Sequence, residues 1–137
     1  MVDAALHHLQ AGLTDGTPPP PVQPRITFDS DPLEIARDDD GIALGGIRLP
    51  QVEVPLGHNS ALQQSPDVFA RLVGFHERFT DDRVRELYGS RAEYLTRYEA
   101  AARAAEAAGV ILPRDVEPLL AEGAAAYPSS PVGPARR

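Results

Sequence analysis

The segment VPLGHNSAL, residues 54–62, brings an imidazole, an amide and a hydroxyl together, because His58, Asn59 and Ser60 follow one another. In an extended backbone alternate side chains point to the same side, so His58 and Ser60 would face one way. A serine hydrolase needs a nucleophile, an imidazole base, an orienting carboxylate and oxyanion donors. With a carboxylate such as Asp67, the segment suggests one hypothesis, an independent small hydrolase.

The residues around Ser60 do not match a known nucleophile motif. An α/β-hydrolase places its serine on a strained turn with the pattern GxSxG. Here Asn59 stands directly before Ser60, and Leu62 follows two places later. We therefore predict no catalytic residue in this chain, and we expect His58 and Asn59 to hydrogen-bond to loop backbone.

The other groups that could bind a metal ion lack suitable spacing. His7 and His8 are adjacent, so on a helix their side chains diverge by about 100°. His76 is followed directly by Glu77, and no HExxH pattern exists. The acidic run 38–40 lacks the spaced ligands of a calcium loop and is typical of a turn. We predict no metal site and no cofactor.

Composition narrows the classes of protein further. The chain has 137 residues, which is one modest domain or a piece of a larger one, and its net charge of -7 opposes binding to nucleic acid. It has no cysteine, and we find neither a signal peptide nor a stretch long enough to span a bilayer. We expect a soluble cytoplasmic protein that binds neither nucleic acid nor membrane.

The first half of the chain predicts one helix, a linker and a hairpin. Residues 3–13 carry an apolar stripe at helical spacing and stop at Gly16, and Thr17–Pro24 is a stiff proline-rich connector. Two alternating segments, 33–37 and 42–50, flank the acidic turn and predict a β-hairpin. We expect residues 51–56 to continue extended.

The second half is predicted to be mainly helical. Residues 57–68 are typical of a loop, and Pro66 opens a helix over 67–73. Thr80 caps the next helix, which ends at Gly89. Ser90 with Glu93 then forms a capping box. That box starts a helix to Gly109, in which Tyr94 and Tyr98 belong to the core and Arg91 and Arg97 to the solvated face. A last helix follows Pro113 and carries Val116, Leu119 and Leu120.

Two blocks of sequence resemble a known family. The blocks are DGIALGGIRLPQVEVPLGHNSA and LYGSRAEYLTRYEAAARAAEAAGVILPRDVEPLLAEGA. They are similar to the C-terminal end of bacterial α/β-hydrolase domain-containing proteins of the serine esterase type. The opening HHLQAGLTDGTPPPP resembles the last helix of such a domain and the linker after it.

This resemblance implies an α+β fragment that hydrolyses acyl esters only with a catalytic domain encoded upstream or separately. The division would be a terminal helix at 1–16, a linker with a hairpin and an extended segment at 17–66, a helical region at 67–127 and a disordered tail at 128–137. The alternative is a free-standing helical interaction module that binds a partner through Leu95, Tyr98 and Ala102. A homo-oligomer is compatible with either.

Overall fold

A computed structural model describes residues 1–20, 25–29, 34–60 and 74–128. The described elements are α1 Val2–Asp15, α2 Pro50–Glu53, β1 Gly57–Ser60, β2 Phe75–Arg78, α3 Asp81–Tyr88, α4 Arg91–Ala107 and α5 Pro113–Ala126. The predicted α+β class is confirmed: a helix comes first, a small antiparallel sheet follows, and helices form the C-terminal part. The predicted helix over 67–73, residues 21–24 of the connector and residues 129–137 of the tail lie outside the described residues.

Helices α3 and α4 begin and end where the sequence predicts. Thr80 Oγ1 accepts a hydrogen bond from the Arg83 amide at 3.2 Å, and Gly89 ends α3 with φ 68°. Ser90 Oγ accepts from the Glu93 amide at 3.1 Å and starts α4. At its other end α4 gives way to Gly109, whose φ of 69° favours glycine.

Only half of the predicted capping box forms at Ser90. The Ser90 amide donates to the Tyr88 carbonyl oxygen at 2.7 Å, and so it does not take the Glu93 carboxylate. That carboxylate instead accepts from Arg97 Nε at 2.9 Å, one helical turn further on. The turn at Gly89 supplies the acceptor that the box would have provided, which frees Glu93 for an ion pair.

The core lies along one side of α4, which contacts α2, α3 and α5. One buried cluster consists of Val54, Val84, Tyr88, Tyr94 and Tyr98, and a second consists of Ala102, Ala105, Val110, Ile111 and Val116. Tyr98 is 2% exposed and Ala102 is 0% exposed. The stripe proposed above as a partner-binding face is therefore core, so an interaction module cannot use it as a free surface.

Helices α4 and α5 approach closely at a glycine. A Cβ placed on Gly123 would lie 2.6 Å from Cε1 of the Tyr98 ring. Because no side chain separates the ring from the backbone of α5, the two helices pack tightly on an otherwise alanine-rich surface. The small residues of this part of the chain thus serve packing between helices.

The predicted hairpin is formed in part. Arg37 bridges to Ala43 around the acidic turn, and the Asp38 amide donates to the Ile42 carbonyl at 3.0 Å. Residues 25–29 join the pair, since Ile26 bridges to Gly45 and Phe28 to Ile35. The three segments pair through isolated bridges.

Two predictions for the middle of the chain are wrong. Residues 50–53, expected to be extended, form α2: Pro50 stands at the first turn, where its missing amide costs nothing, and the Leu49 carbonyl accepts from the Glu53 amide at 3.0 Å. Residues 57–60, expected to be a loop, form β1 because Phe75–Arg78 supplies a partner strand. The short stretch before Thr80 carried no clear strand pattern.

Helix α1 is attached to the body through a glycine at the end of α4. His8 Nε2 lies 2.9 Å from the Gly109 carbonyl oxygen, and a Cβ on Gly109 would lie 2.7 Å from Cγ of Pro20. Ala4 is the buried residue of the helix. One turn of backbone therefore holds both α1 and the start of the proline-rich connector.

Replacing Gly109 with alanine should destabilise the protein more than replacing Gly16 with alanine. Both glycines have a positive φ, 69° and 74°, but a Cβ on Gly16 would meet nothing within 4 Å. We expect Gly16→Ala to cost about 1 kcal/mol and Gly109→Ala at least ~1 kcal/mol more, because Pro20 must move. Urea unfolding monitored by circular dichroism measures both. Equal losses would mean that α1 and Pro20 do not pack on Gly109.

Replacing Ser90 with alanine should lower the free energy of unfolding by about 1 kcal/mol, the usual value of an N-cap. Glu93→Gln is the matched control, because the carboxylate reaches Arg97 at an exposed site and not the cap. It should change stability by less than about 0.5 kcal/mol. A loss in Glu93→Ala that matches the loss in Ser90→Ala, and that Glu93→Gln does not show, would mean that the reciprocal cap forms.

Candidate polar cleft beside the two-stranded sheet

The two-stranded sheet distributes its polar residues over two faces. Strands β1 and β2 are antiparallel, with His58 opposite Glu77 and Asn59 opposite His76. Because neighbouring side chains in a strand point to opposite faces, each pair lies on its own side of the sheet. His58 and Asn59 therefore lie on opposite faces of the sheet.

On one face, His58 packs among residues that hold the acidic turn. Its Nε2 lies 3.8 Å from a Glu77 carboxylate oxygen, and its ring meets Phe75 edge-on with centroids 5.5 Å apart. The ring also lies over Gly41, the last residue of the turn. His58 thus lies beside a carboxylate across the sheet, at a distance too long for a hydrogen bond, and within the described residues it does not bond to loop backbone as predicted.

The acidic turn is tied to α3 by an arginine. Arg83 donates to both carboxylate oxygens of Asp40, at 2.9 and 2.7 Å, and to Glu86 at 2.8 Å. The hydrogen bonds that Arg83 donates to Asp40, and then the one that it donates to Glu86, hold the pKa of Arg83 above its usual value. Asp38 accepts from two amides of its own turn, which matches the predicted turn. The part of the chain that the structure describes holds no group of three or more potential metal ligands.

On the other face, a histidine and an asparagine form a pair. His76 Nδ1 lies 2.9 Å from Asn59 Oδ1. Since the amide oxygen is an acceptor, Nδ1 is the donor in this hydrogen bond. A Cβ on Gly57 would lie 3.0 Å from the His76 ring, so the ring rests on bare backbone. Asn59, expected to bond to backbone, instead orients this imidazole.

This face of the sheet opens onto a cleft of about 430 Å³ between β1, β2, α2, α4 and α5. Its floor is apolar and aromatic, and its rim carries five polar side chains: Gln51, Asn59, His76, Arg78 and Glu122. Arg78 Nη2 donates to the Ala126 carbonyl at 2.8 Å, and so joins β2 to the last turn of α5. Convergent polar groups around an apolar floor are typical of small-molecule sites.

Two tyrosines of the core, Tyr94 and Tyr98, form the inner wall of this cleft. Burial raises the pKa of Tyr94, with smaller contributions from Tyr98 and Tyr88, and burial followed by the nearby Glu122 carboxylate raises that of Tyr98. Burial also raises the pKa of Tyr88 to about 12, and its hydroxyl donates to the Pro55 carbonyl at 2.7 Å. All three are neutral hydroxyls at ordinary pH, so none is poised as a base.

Two arginines have a role that the sequence pattern did not reveal. Arg78 and Arg91 each donate to carbonyls in the last turn of α5, those of Ala126 and Ala124, with Arg91 at 2.9 Å. Cations at a helix C-terminus satisfy free carbonyls and interact favourably with the helix dipole. Arg91 was assigned to a solvated face, and the arginines approach α5 from distant positions, so local periodicity could not have identified them.

The remaining histidines lie near a second, apolar cavity. Rings of His7 and His8 meet edge-on with centroids 5.6 Å apart, and His8 bonds to Gly109 as described. The cavity, of about 610 Å³, lies between α1, the proline-rich segment, Ile47 and the Gly109 turn. On α1, Leu9 is 59% exposed and Leu13 is 80% exposed. Among the described residues, these two histidines do not belong to a group of three or more potential metal ligands.

Comparison with known proteins agrees with the resemblance. The model of the alpha/beta hydrolase domain family matches residues 1–121, which is most of the chain. The chain therefore belongs to the alpha/beta hydrolase domain family. No curated protein and no solved structure matches it. Among the described residues, no helix is both long and apolar enough to cross a bilayer.

The stability of the protein should decrease at alkaline pH because of the buried tyrosines. An unfolded tyrosine ionises near pH 10, whereas Tyr88 ionises in the folded protein near 12. Since the folded state then holds more protons than the unfolded state, the stabilisation is complete below pH 10 and is lost as pH rises towards 12. The chain has no lysine to titrate in this window.

Urea unfolding at intervals from pH 8 to pH 11.5 tests this dependence. Tyr88→Phe is the control: it loses the hydrogen bond to Pro55 at every pH, but its stability should fall less steeply above pH 10. Stability that stays constant to pH 11.5 in the unmodified protein would contradict the burial of these hydroxyls.

Proposed function

We propose that this chain is a non-catalytic C-terminal part of an esterase-type α/β-hydrolase. In this proposal it contributes to the hydrolysis of acyl esters together with a catalytic domain, carried by another segment or another polypeptide, that seats against α1. The exposed apolar face of α1 is the observation that carries it. Membership of the hydrolase family over residues 1–121 supports the choice of a hydrolase domain as the partner.

The face of α1 has the character of a helix packed in a larger domain. Leu6, Leu9 and Leu13 are 59%, 59% and 80% exposed, although they lie at helical spacing on an amphipathic segment. Contiguous exposed apolar surface of this kind is typical of an interaction site. The cavity beside Leu9 and Leu13 would receive an apolar side chain from the catalytic domain.

The attachment of α1 to the body supports a bracing role. The helix is held by His8 on Gly109 and by Pro20 packed at the same turn, and its leucines remain outward. A catalytic domain seated on α1 would thus be connected through Gly109 to α4 and α5. We propose that the helices brace the edge of the active site and shape access for the acyl substrate.

The roles of the sheet residues also favour an accessory part. His58 faces Glu77 and Phe75, and His76 is bound by Asn59, so both imidazoles have structural partners. The rival hypothesis of an independent hydrolase relies on Ser60 and Asp67, of which Asp67 lies outside the described residues. It predicts that the chain alone hydrolyses p-nitrophenyl butyrate and loses this activity in His58→Ala.

Substituting aspartate into the face of α1 should break the association with the catalytic domain. The test co-expresses this chain with the hydrolase segment encoded beside it and measures complex formation by size-exclusion chromatography and p-nitrophenyl butyrate hydrolysis. Leu9→Asp and Leu13→Asp should each reduce complex formation and kcat/KM at least about tenfold, because a charge would be buried against an apolar surface. Both sites are exposed in this chain, so its own fold should persist.

Leu44→Asp is the matched control, since Leu44 is an exposed leucine away from the cavity. It should leave complex formation and activity near the unmodified values. A complex that tolerates both α1 substitutions would overturn the proposed seat. Ester hydrolysis by the chain alone that His58→Ala removes would instead establish the independent hydrolase.

A further inference from the structure

The cleft on the Asn59 face of the sheet carries two opposite charges that do not pair. Arg78 and Glu122 both line it, one from β2 and one from α5. Within the described ranges neither side chain forms an ion pair. Arg78 uses one N–H group for the Ala126 carbonyl and keeps others for a further acceptor. The cleft therefore offers a cationic group and an anionic group at separate points of its rim.

The remaining lining determines what can lie between these charges. His76 Nδ1 bonds to Asn59, so Nε2 is the ring nitrogen that takes no part in that hydrogen bond. Val54 and Leu56 provide apolar surface, and the Tyr98 ring packs on the bare backbone of Gly123. At about 430 Å³ the cleft falls within the usual range for small-molecule sites, roughly 300–1,000 Å³.

We infer that this cleft binds a small zwitterion with an apolar side chain, of the chemical class of a free α-amino acid. The carboxylate of the ligand is bound by Arg78, the ammonium group by Glu122, and the apolar side chain lies on Val54 and Leu56. A simple carboxylic acid would leave Glu122 unpaired beside a like charge, and a simple amine would leave Arg78 unpaired. The inference does not depend on the proposed hydrolase role, because it uses none of the residues of α1.

The test compares three ligands that share the leucine side chain and differ in their charged groups. L-leucine carries both charges, N-acetyl-L-leucine lacks the ammonium group, and L-leucinamide lacks the carboxylate. Titration of the 15N-labelled protein, followed by NMR, should show saturable shifts around the cleft for leucine. The two analogues should bind at least about tenfold more weakly, as expected when a hydrogen bond to a charged group is lost.

Two substitutions assign the charges. Glu122→Gln should weaken leucine binding about tenfold and remove the discrimination against N-acetyl-leucine, whereas Arg78→Gln should remove the discrimination against leucinamide. Glu117→Gln is the control, because Glu117 is an exposed carboxylate elsewhere on α5. Since Arg78 also caps α5, thermal melting checks that variant; if it does not fold, Glu122→Gln alone decides the matter.

Absence of saturable shifts with leucine would overturn the inference. Equal binding of the three ligands, or binding that Glu122→Gln leaves unchanged, would also overturn it. Loss of ester hydrolysis in the α1 variants has no bearing on this result, so the two proposals can fail separately.

Discussion

The contact between the Tyr98 ring and the bare backbone of Gly123 is the constraint on which the rest of the structure depends. It brings α4 and α5 close enough for the small residues around Ala102 and Ala105 to be buried. An alanine-rich interface has little surface to bury per residue, so its stability rests on close packing and not on large side chains. The aromatic cluster at Tyr88, Tyr94 and Tyr98 supplies the larger share of apolar burial and positions the sheet.

The cleft is a consequence of the same contact. Because Tyr98 lies flat on α5, its ring and Gly123 form an inner wall, and the last turn of α5 comes within reach of Arg78. The arginine then connects the sheet to the helix and leaves donors free at the rim. Arg78 thus has a structural role at the end of α5 and a proposed role in binding. The carboxylate of Glu122 matters for the proposal because it lines the same cleft as this arginine.

Local signals in the sequence predicted the helices well and the sheet poorly. Thr80, Ser90, Gly89 and Gly109 act within a few residues of themselves, so the limits of α3 and α4 could be inferred from residue type and spacing. Strand β1 depends on a distant partner, since Asn59 pairs with His76 seventeen positions later. Its sequence, GHNS, has no alternation of apolar residues that would predict a strand. The His76–Asn59 pair and the two arginines on α5 were missed for the same reason, because only the folded chain brings them together. The family resemblance succeeded because whole blocks of sequence carry more information than any one motif in them.

Helix α1 has exposed leucines on its surface and an apolar cavity beside it. The leucines at positions 6, 9 and 13 are exposed, and the helix is attached through a hydrogen bond from His8. A single hydrogen bond contributes only about 1 kcal/mol to stability. A helix this short is marginal in water on its own, so α1 gains its stability from what it packs against. The contact of Pro20 with Gly109 contributes part of that packing, and the apolar cavity beside Leu13 shows where more can be gained. A partner that fills this cavity would therefore stabilise the helix and the turn together, and would couple its own position to the packing of α4 against α5.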